Sequence, residues 1–257
     1  MRTLALDMNK VTKVKSVLSR FFRKKREEKP AEDSVLRGRR LITRLFLKGN
    51  GLEIGALHNP LRVPETAKVK YVDRMSVEDL KKHYPELNAL DLVEVDIIDD
   101  GERLGRIQDS SQDFVIANHF IEHCQDPLST LKNLLRVIRS GGILYLAVPD
   151  KRFTFDIDRP VTTFDHIEQD YILGPERSRK SHYEEWVRLV NKNEDPVLAE
   201  DEVRHLMKIG YSIHFHVWTQ IEIIDLLIRS RKYFSFDIEM IYKNEHEVIA
   251  ILTKTLE

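Results

Sequence analysis

Asp113-Phe114-Val115-Ile116-Ala117-Asn118, then a helix opening at Asp126-Pro127, then Ile143-Leu144-Tyr145-Leu146-Ala147-Val148 make one strand–helix–strand unit. Both strands are almost continuously apolar. A strand needs that composition only when both of its faces are covered, as in a parallel sheet. Asp126 has the right side chain for an N-cap, and Pro127 suits the first helical position. Leu128, Leu131, Leu134, Leu135 and Ile138 give that helix one apolar stripe, and Gly141-Gly142 are expected to end it.

The same alternation extends upstream. Leu52-Glu53-Ile54 reads as a short strand ending at Gly55, and Val69-Lys70-Tyr71-Val72 as the next, ending at Asp73. Ser76-Val77-Glu78-Asp79 is a capped helix start, with Pro85 as its stop. Leu92-Val93-Glu94-Val95 reads as a third strand ending at Asp96. Downstream, Thr219-Gln220-Ile221-Glu222 is a capping box that opens a last helix. Phe234–Tyr242 and Val248–Leu252 are strands separated by too few residues for a parallel crossover, so they form an antiparallel hairpin. The expected fold is α/β: a Rossmann-like sheet with helices on both faces, a terminal antiparallel hairpin, and an insertion over 150–218.

The bulk properties narrow the function classes. The chain has 257 residues, 42% of them hydrophobic and 32% charged, enough for a real core. The formal net charge of −1 provides no global field toward nucleic acid, and no nucleic-acid partner is expected. Cys124 stands alone, which rules out an internal disulfide and a cysteine-rich zinc site and points to a cytoplasmic location. Neither a transmembrane run nor a secretory leader is read from the sequence. Residues 1–48 read as a helical extension to a domain over 49–257. In that extension Val11, Val14, Val17, Leu18, Phe21 and Phe22 oppose Lys13, Lys15, Arg20, Arg23, Lys24 and Arg26. Such a helix either packs on the domain or makes a peripheral contact with an anionic membrane surface.

With these elements in place, the chain resembles the class I S-adenosylmethionine-dependent methyltransferases. The resemblance covers roughly 50–149 by motif and 219–254 by topology. Its nearest form is an uncharacterised small-molecule branch often associated with glycan biosynthesis. Leu52-Glu53-Ile54-Gly55, followed by Ala56, looks like the first cofactor motif. The resemblance puts Asp73 on the ribose hydroxyls, Asp96 and the adjoining Ile97 at the adenine, and Asn118 beside the methionine moiety. These residue types suit the ligand: a carboxylate accepts from vicinal hydroxyls, and ligands of open α/β sheets bind beyond the carboxyl ends of the strands. S-adenosyl-L-methionine is thus the implied cofactor, and the implied acceptor is a small molecule or saccharide, methylated at oxygen.

The glycine loop is atypical. Leu57 and Asn59 occupy places where the family has further glycines, and Pro60 and Pro64 leave room for about one helical turn starting at Asn59-Pro60. Leu57 is not expected to take left-handed backbone angles. This departure motivates an alternative, a non-catalytic scaffold that keeps the fold. It also counts against nicotinamide and flavin enzymes, which need small residues where the pyrophosphate meets the backbone.

Proton removal from an acceptor calls for a His, Asp or Glu near the site. His119 follows Asn118, and His214 and His216 flank Phe215 in a strand-like run that places both imidazoles on one face. These three are the candidate bases. His119 and His123 have helical i,i+4 spacing, but two ligands are weak evidence and no metal is expected. Asp165-His166, Arg179 and His182-Tyr183 are acceptor-side candidates. Arg152, Arg159, Arg177, Arg179 and Lys180 read either as an anion-binding set or as solvated charges.

Overall fold

The computed structural model describes residues 34–256. The amphipathic run over residues 11–26 lies outside the described residues. Seven strands form one sheet in the order β3-β2-β1-β4-β5-β7-β6. They are β1 Gly49–Ile54, β2 Ala67–Asp73, β3 Ile97–Ile98, β4 Gln112–Asn118, β5 Ile138–Pro149, β6 Phe236–Asn244 and β7 Glu247–Lys254. Only β7 runs against its neighbours. The order reverses between β1 and β4, so a crevice forms beyond their carboxyl ends.

Two apolar layers sandwich this sheet. On one face Leu52, Ile54, Val115 and Leu144 meet helix α3 (Pro127–Val137) and helix α7 (Gln220–Ser230). Leu128, Leu131, Leu134 and Leu135 of α3 are all buried. Each contributes roughly 1.5–3 kcal/mol, far more than the few tenths that separate helix propensities. Asp126 caps α3 through the Ser129 N–H, and Thr219 with Glu222 completes the expected capping box on α7. On the other face helix α1 (Ser34–Phe46) packs Ile42 beside Phe114, Ile116 and Tyr145. Ser76 caps helix α2 (Val77–His83) as expected.

Residues 150–217 add helices α4 (Phe164–Leu173), α5 (Glu176–Leu189) and α6 (Pro196–Ile209). They have their own apolar cluster of Tyr183, Trp186, Val187, Val203, Ile213 and Phe215. Among the described residues no helix is long and apolar enough to cross a membrane.

Three local expectations fail. The third strand is Ile97–Ile98 instead of Leu92–Val95, because Val93 gives its N–H to Leu57 O, 2.8 Å away, in the β1 loop. No helical turn begins at Asn59. Asn59 closes a turn on Ala56 O, while Pro60 and Pro64 bring no donors and the Leu61 N–H turns to Glu53. Gly141-Gly142 do not end the helix either. Chain 138–142 is already β5, bulged against β4 where the register shifts between Gln112 and Phe114.

Candidate active site

The first strand delivers Glu53, wholly buried, and Gly55 in the left-handed region at φ 64°. The Glu53 carboxylate accepts the Leu61 N–H at 2.9 and 3.1 Å, which pins the loop after β1. Burial pushes its pKa up to about 7, against the weaker pull of the Leu61 N–H and Arg39. Leu57 takes φ 49°, contrary to expectation. A leucine held there is strained, and the Val93–Leu57 bond and the Glu53 anchor show what holds it. The loop therefore follows a glycine-like path without the glycine.

Asp73 stands at the tip of β2, where its carboxylate accepts the Arg74 N–H at 2.7 Å and keeps further acceptor capacity. Burial raises its pKa against Arg74. Asp96 is not at the rim. Ile97 pairs with Val72, so Asp96 lies level with Tyr71, and its exposed side chain accepts the Tyr71 N–H at 2.7 Å. Ile97 is half-buried in the strand and packs on the core. The acids that follow β3 are Asp99 and Asp100, which bond backbone N–H groups of Arg106 and Glu102. Beside them Gly101 presses so close to Ile54 and Phe120 that a Cβ would lie 2.6 and 2.8 Å from their side chains. Sequence reasoning ended the strand too early and missed these acids; the run Asp96-Ile97-Ile98-Asp99-Asp100 offered the signal.

β4 ends at Asn118, whose Oδ1 is buried and has no hydrogen-bond partner. Buried polar atoms are nearly always satisfied, so this orphan marks a place that a ligand can complete. Gly55, Ala56, Asp73, the Asp99–Gly101 turn and Asn118 all lie in the loops and strand ends around the crevice between β1 and β4. This donor and acceptor set fits an adenosyl ligand with vicinal hydroxyls.

Next to it runs a chain of ionisable groups. His119, at φ 51°, meets Glu247 Oε2 through Nε2 at 2.7 Å. Arg39 of α1 forks onto the same carboxylate. Burial alone would raise the Glu247 pKa, but the Arg39 and His119 bonds outweigh it and bring it to about 2. His119 Nδ1 faces Glu122 Oε1 at 4.0 Å. Glu122 is buried, both its carboxylate oxygens lack hydrogen-bond partners, and burial raises its pKa against His119 and His214. On its other side His214 gives Nδ1 to Asp156 Oδ2 at 2.7 Å. Asp156 also meets Arg159 at 2.9 Å, and the two bonds overcome its burial to lower its pKa.

The expected pairing of His214 with His216 on one face does not place them in one pocket. His214 joins Glu122 and His123, whereas His216 joins His166 and His182 and stacks on Trp218. His216 is wholly buried, and burial keeps it neutral far below the usual imidazole range, so it is no base for an entering acceptor. His123 bonds Ile213 O at 2.9 Å and is held down at about 3, chiefly by burial. The proposed anion-binding cations are largely committed too. Arg159 is buried and holds Asp156, Glu185, His214 O and Phe215 O, Arg152 pairs with Asp150, and Lys180 pairs with Glu184 and Glu200. Asp156, Glu247 and Arg39 went unrecognised in the sequence, since each is a single charge outside any motif.

Residues 49–146 match a family model described as a methyltransferase domain. No curated protein matches the chain. Among solved structures, a Thermotoga maritima S-adenosylmethionine-dependent methyltransferase, described as a possible histamine N-methyltransferase, is 17% identical. The match covers 86% of this chain and 88% of that one, with a TM-score of 0.45. An Aquifex aeolicus S-adenosylmethionine-dependent methyltransferase is 12% identical over 93% and 96% of the two chains, with a TM-score of 0.45. A Rhodobacter sphaeroides protein named among Zn-dependent alcohol dehydrogenases is 14% identical over 98% and 100%, with a TM-score of 0.51. At such identities the structural likeness speaks to the fold alone.

Proposed function

We propose that this chain, an enzyme with a methyltransferase domain whose implied cofactor is S-adenosyl-L-methionine, methylates a hydroxyl oxygen of a small molecule or saccharide. The observation that carries the reading is the Asp156–His214 pair set against the unpartnered Glu122 carboxyl, four residues beyond the orphaned Asn118 at the end of β4. Against the scaffold alternative, which rests on Leu57, Asn59, Pro60 and Pro64, stands the left-handed backbone of Leu57, the path a glycine loop takes.

The cofactor, when bound, supplies an electrophilic methyl group. Asp73 would receive its ribose hydroxyls, Asp99 and Asp100 would lie toward its base, Gly55 and Ala56 would offer it backbone, and Asn118 would offer Oδ1 to its amino-acid end. Asp156 accepts from His214 Nδ1 and so leaves Nε2 free to accept a proton. His214 would take the acceptor's hydroxyl proton at Nε2, and the cofactor, giving up its methyl group, would leave as S-adenosylhomocysteine. Glu122 is as buried as His216 and does not meet the acceptor; its carboxyl lies within 4.8 Å of a ring nitrogen of His214 and acts through that ring. His119, its Nε2 tied to Glu247, positions Glu122 and takes no proton from the acceptor. The helices over 150–217 cap the acceptor. A cytoplasmic location accords with the single, buried Cys124.

Calorimetric titration with S-adenosylmethionine and S-adenosylhomocysteine tests the cofactor half. Asp73→Ala is expected to weaken both by about 1.5–3 kcal/mol, the usual worth of a hydrogen bond to a charged group. Binding unaffected by Asp73→Ala refutes the assignment of that acid. In an acceptor screen, His214→Asn is expected to lower kcat by roughly 10²–10⁴-fold with cofactor affinity unchanged. An unchanged kcat removes His214 as the base.

A further inference from the structure

We infer that His166, His182 and His216 form a binding site for a divalent transition-metal ion, zinc being the best fit, with one coordination position open to a cavity. One ring nitrogen of each histidine lies within 4.8 Å of the other two. His166 Nε2 and His182 Nε2 are 3.1 Å apart. Two ligands of a tetrahedral zinc, each about 2.0–2.1 Å from the metal, are separated by about 3.3 Å, so this pair is already spaced as an edge of that tetrahedron. The three come from different parts of the fold: α4, α5 and the segment leading to Trp218.

The surroundings agree with ligation. His216 Nε2 faces Gln125 O at 3.3 Å, while its Nδ1 is buried and has no partner. A ligating histidine characteristically gives its remote N–H to a carbonyl, which fixes the tautomer that leaves the other nitrogen free for metal. Asp170 Oδ2 lies 3.2 Å from His166 Nε2, is likewise buried without a hydrogen-bond partner, and brings negative charge to the ion. Asp170 Oδ1 is anchored by the Ser178 hydroxyl at 2.8 Å. The positive charge nearby, Arg159, is neutralised by Asp156 and Glu185. A cavity of about 210 Å³ reaches His166 and His182 between Thr162, Thr163 and Glu185. Three protein ligands with a fourth position facing space is the arrangement of a zinc that accepts an outside oxygen or nitrogen ligand. The site does not depend on the proposed base, because His214 sits in the other cluster.

Zinc titrated into tag-free, chelator-treated full-length protein tests this. One equivalent per chain is expected, with a rise in melting temperature, and cobalt in its place should give the visible absorption of a four-coordinate ion. Losing a group that merely orients a metal ligand costs about 10–100-fold in affinity, so His166→Ala and His182→Asn should each cost at least that. His214→Asn should leave zinc affinity unchanged. X-ray absorption at the zinc edge of the wild-type protein, which needs no variant to fold, should count three imidazoles. Absence of stoichiometric binding, binding that survives both substitutions, or a count below three would overturn the site and leave a hydrogen-bonded histidine pair.

Discussion

Glu53 in β1 and Glu247 in β7 are both wholly buried, yet they titrate in opposite directions. Glu53 is pushed up to about 7, and Glu247 is brought down to about 2. Burial is therefore not what separates them. Glu247 receives the Arg39 fork, His119 and the Asn244 amide. Glu53 receives one backbone N–H, from Leu61, and only the distant influence of the same Arg39. One guanidinium is committed to Glu247 in β7, and β1 is left with a carboxyl that is easily neutralised. The first arrangement fixes a histidine beside the site. The second fixes a loop.

Removing that asymmetry should have its largest effect at Glu247. Glu247→Ala leaves the half-buried Arg39 without its carboxylate, and a loss of about 2–3 kcal/mol in urea unfolding is expected, below the roughly 3–5 kcal/mol of a fully buried pair. A loss below 1 kcal/mol would mean that the pair is no better than a surface ion pair. The two acids should also mark opposite ends of the pH–stability curve. Glu53 has a raised folded pKa, so its contribution is full below the unfolded value and is lost as pH rises toward 7. Glu247 has a depressed one, so its contribution is full above the unfolded value and is lost as pH falls toward 2. Glu53→Gln should flatten the fall in stability between acid and neutral pH, a difference on the order of 2–3 kcal/mol. Equal slopes in wild type and variant would show that Glu53 is not held protonated. The smallest effect is expected at the loop that Glu53 pins. Leu57→Gly should relieve left-handed strain of about 1–2 kcal/mol at an entropic cost of about 0.5–1 kcal/mol, giving a modest gain in melting temperature. A lower melting temperature would show that the leucine side chain, and not its backbone, holds the loop.

Much of the fold was legible because the sheet interior leaves little choice of residue. Phe114–Ala117 and Leu144–Val148 are covered on both faces, so their apolar runs announce them. Caps at Ser76, Asp126 and Thr219 were legible because each is a local bond between a side chain and a backbone N–H two or three residues on. β3 was misplaced because an edge strand of two residues carries almost no pattern, and Val93 is drawn instead to Leu57. At the site, Asp73, Gly55 and Asn118 stood where strand ends required them. Asp96 did not, because its rim position depended on the misplaced strand.

The sequence by itself determined the strand–helix order outside the insertion, the caps at Ser76, Asp126 and Thr219, and the antiparallel hairpin, while the three helices over 164–209 were not read from it. Hydrophobic period and local capping act over a few residues, so one chain read alone contains them. Only the tertiary structure decided that Leu57 is left-handed, that Arg39 belongs to Glu247, that Asp156 orients His214, and that His216 leaves His214 for His166 and His182. Each of these joins residues far apart in the chain. Their charges and conformations follow from which groups burial brings together, and no short-range pattern records that.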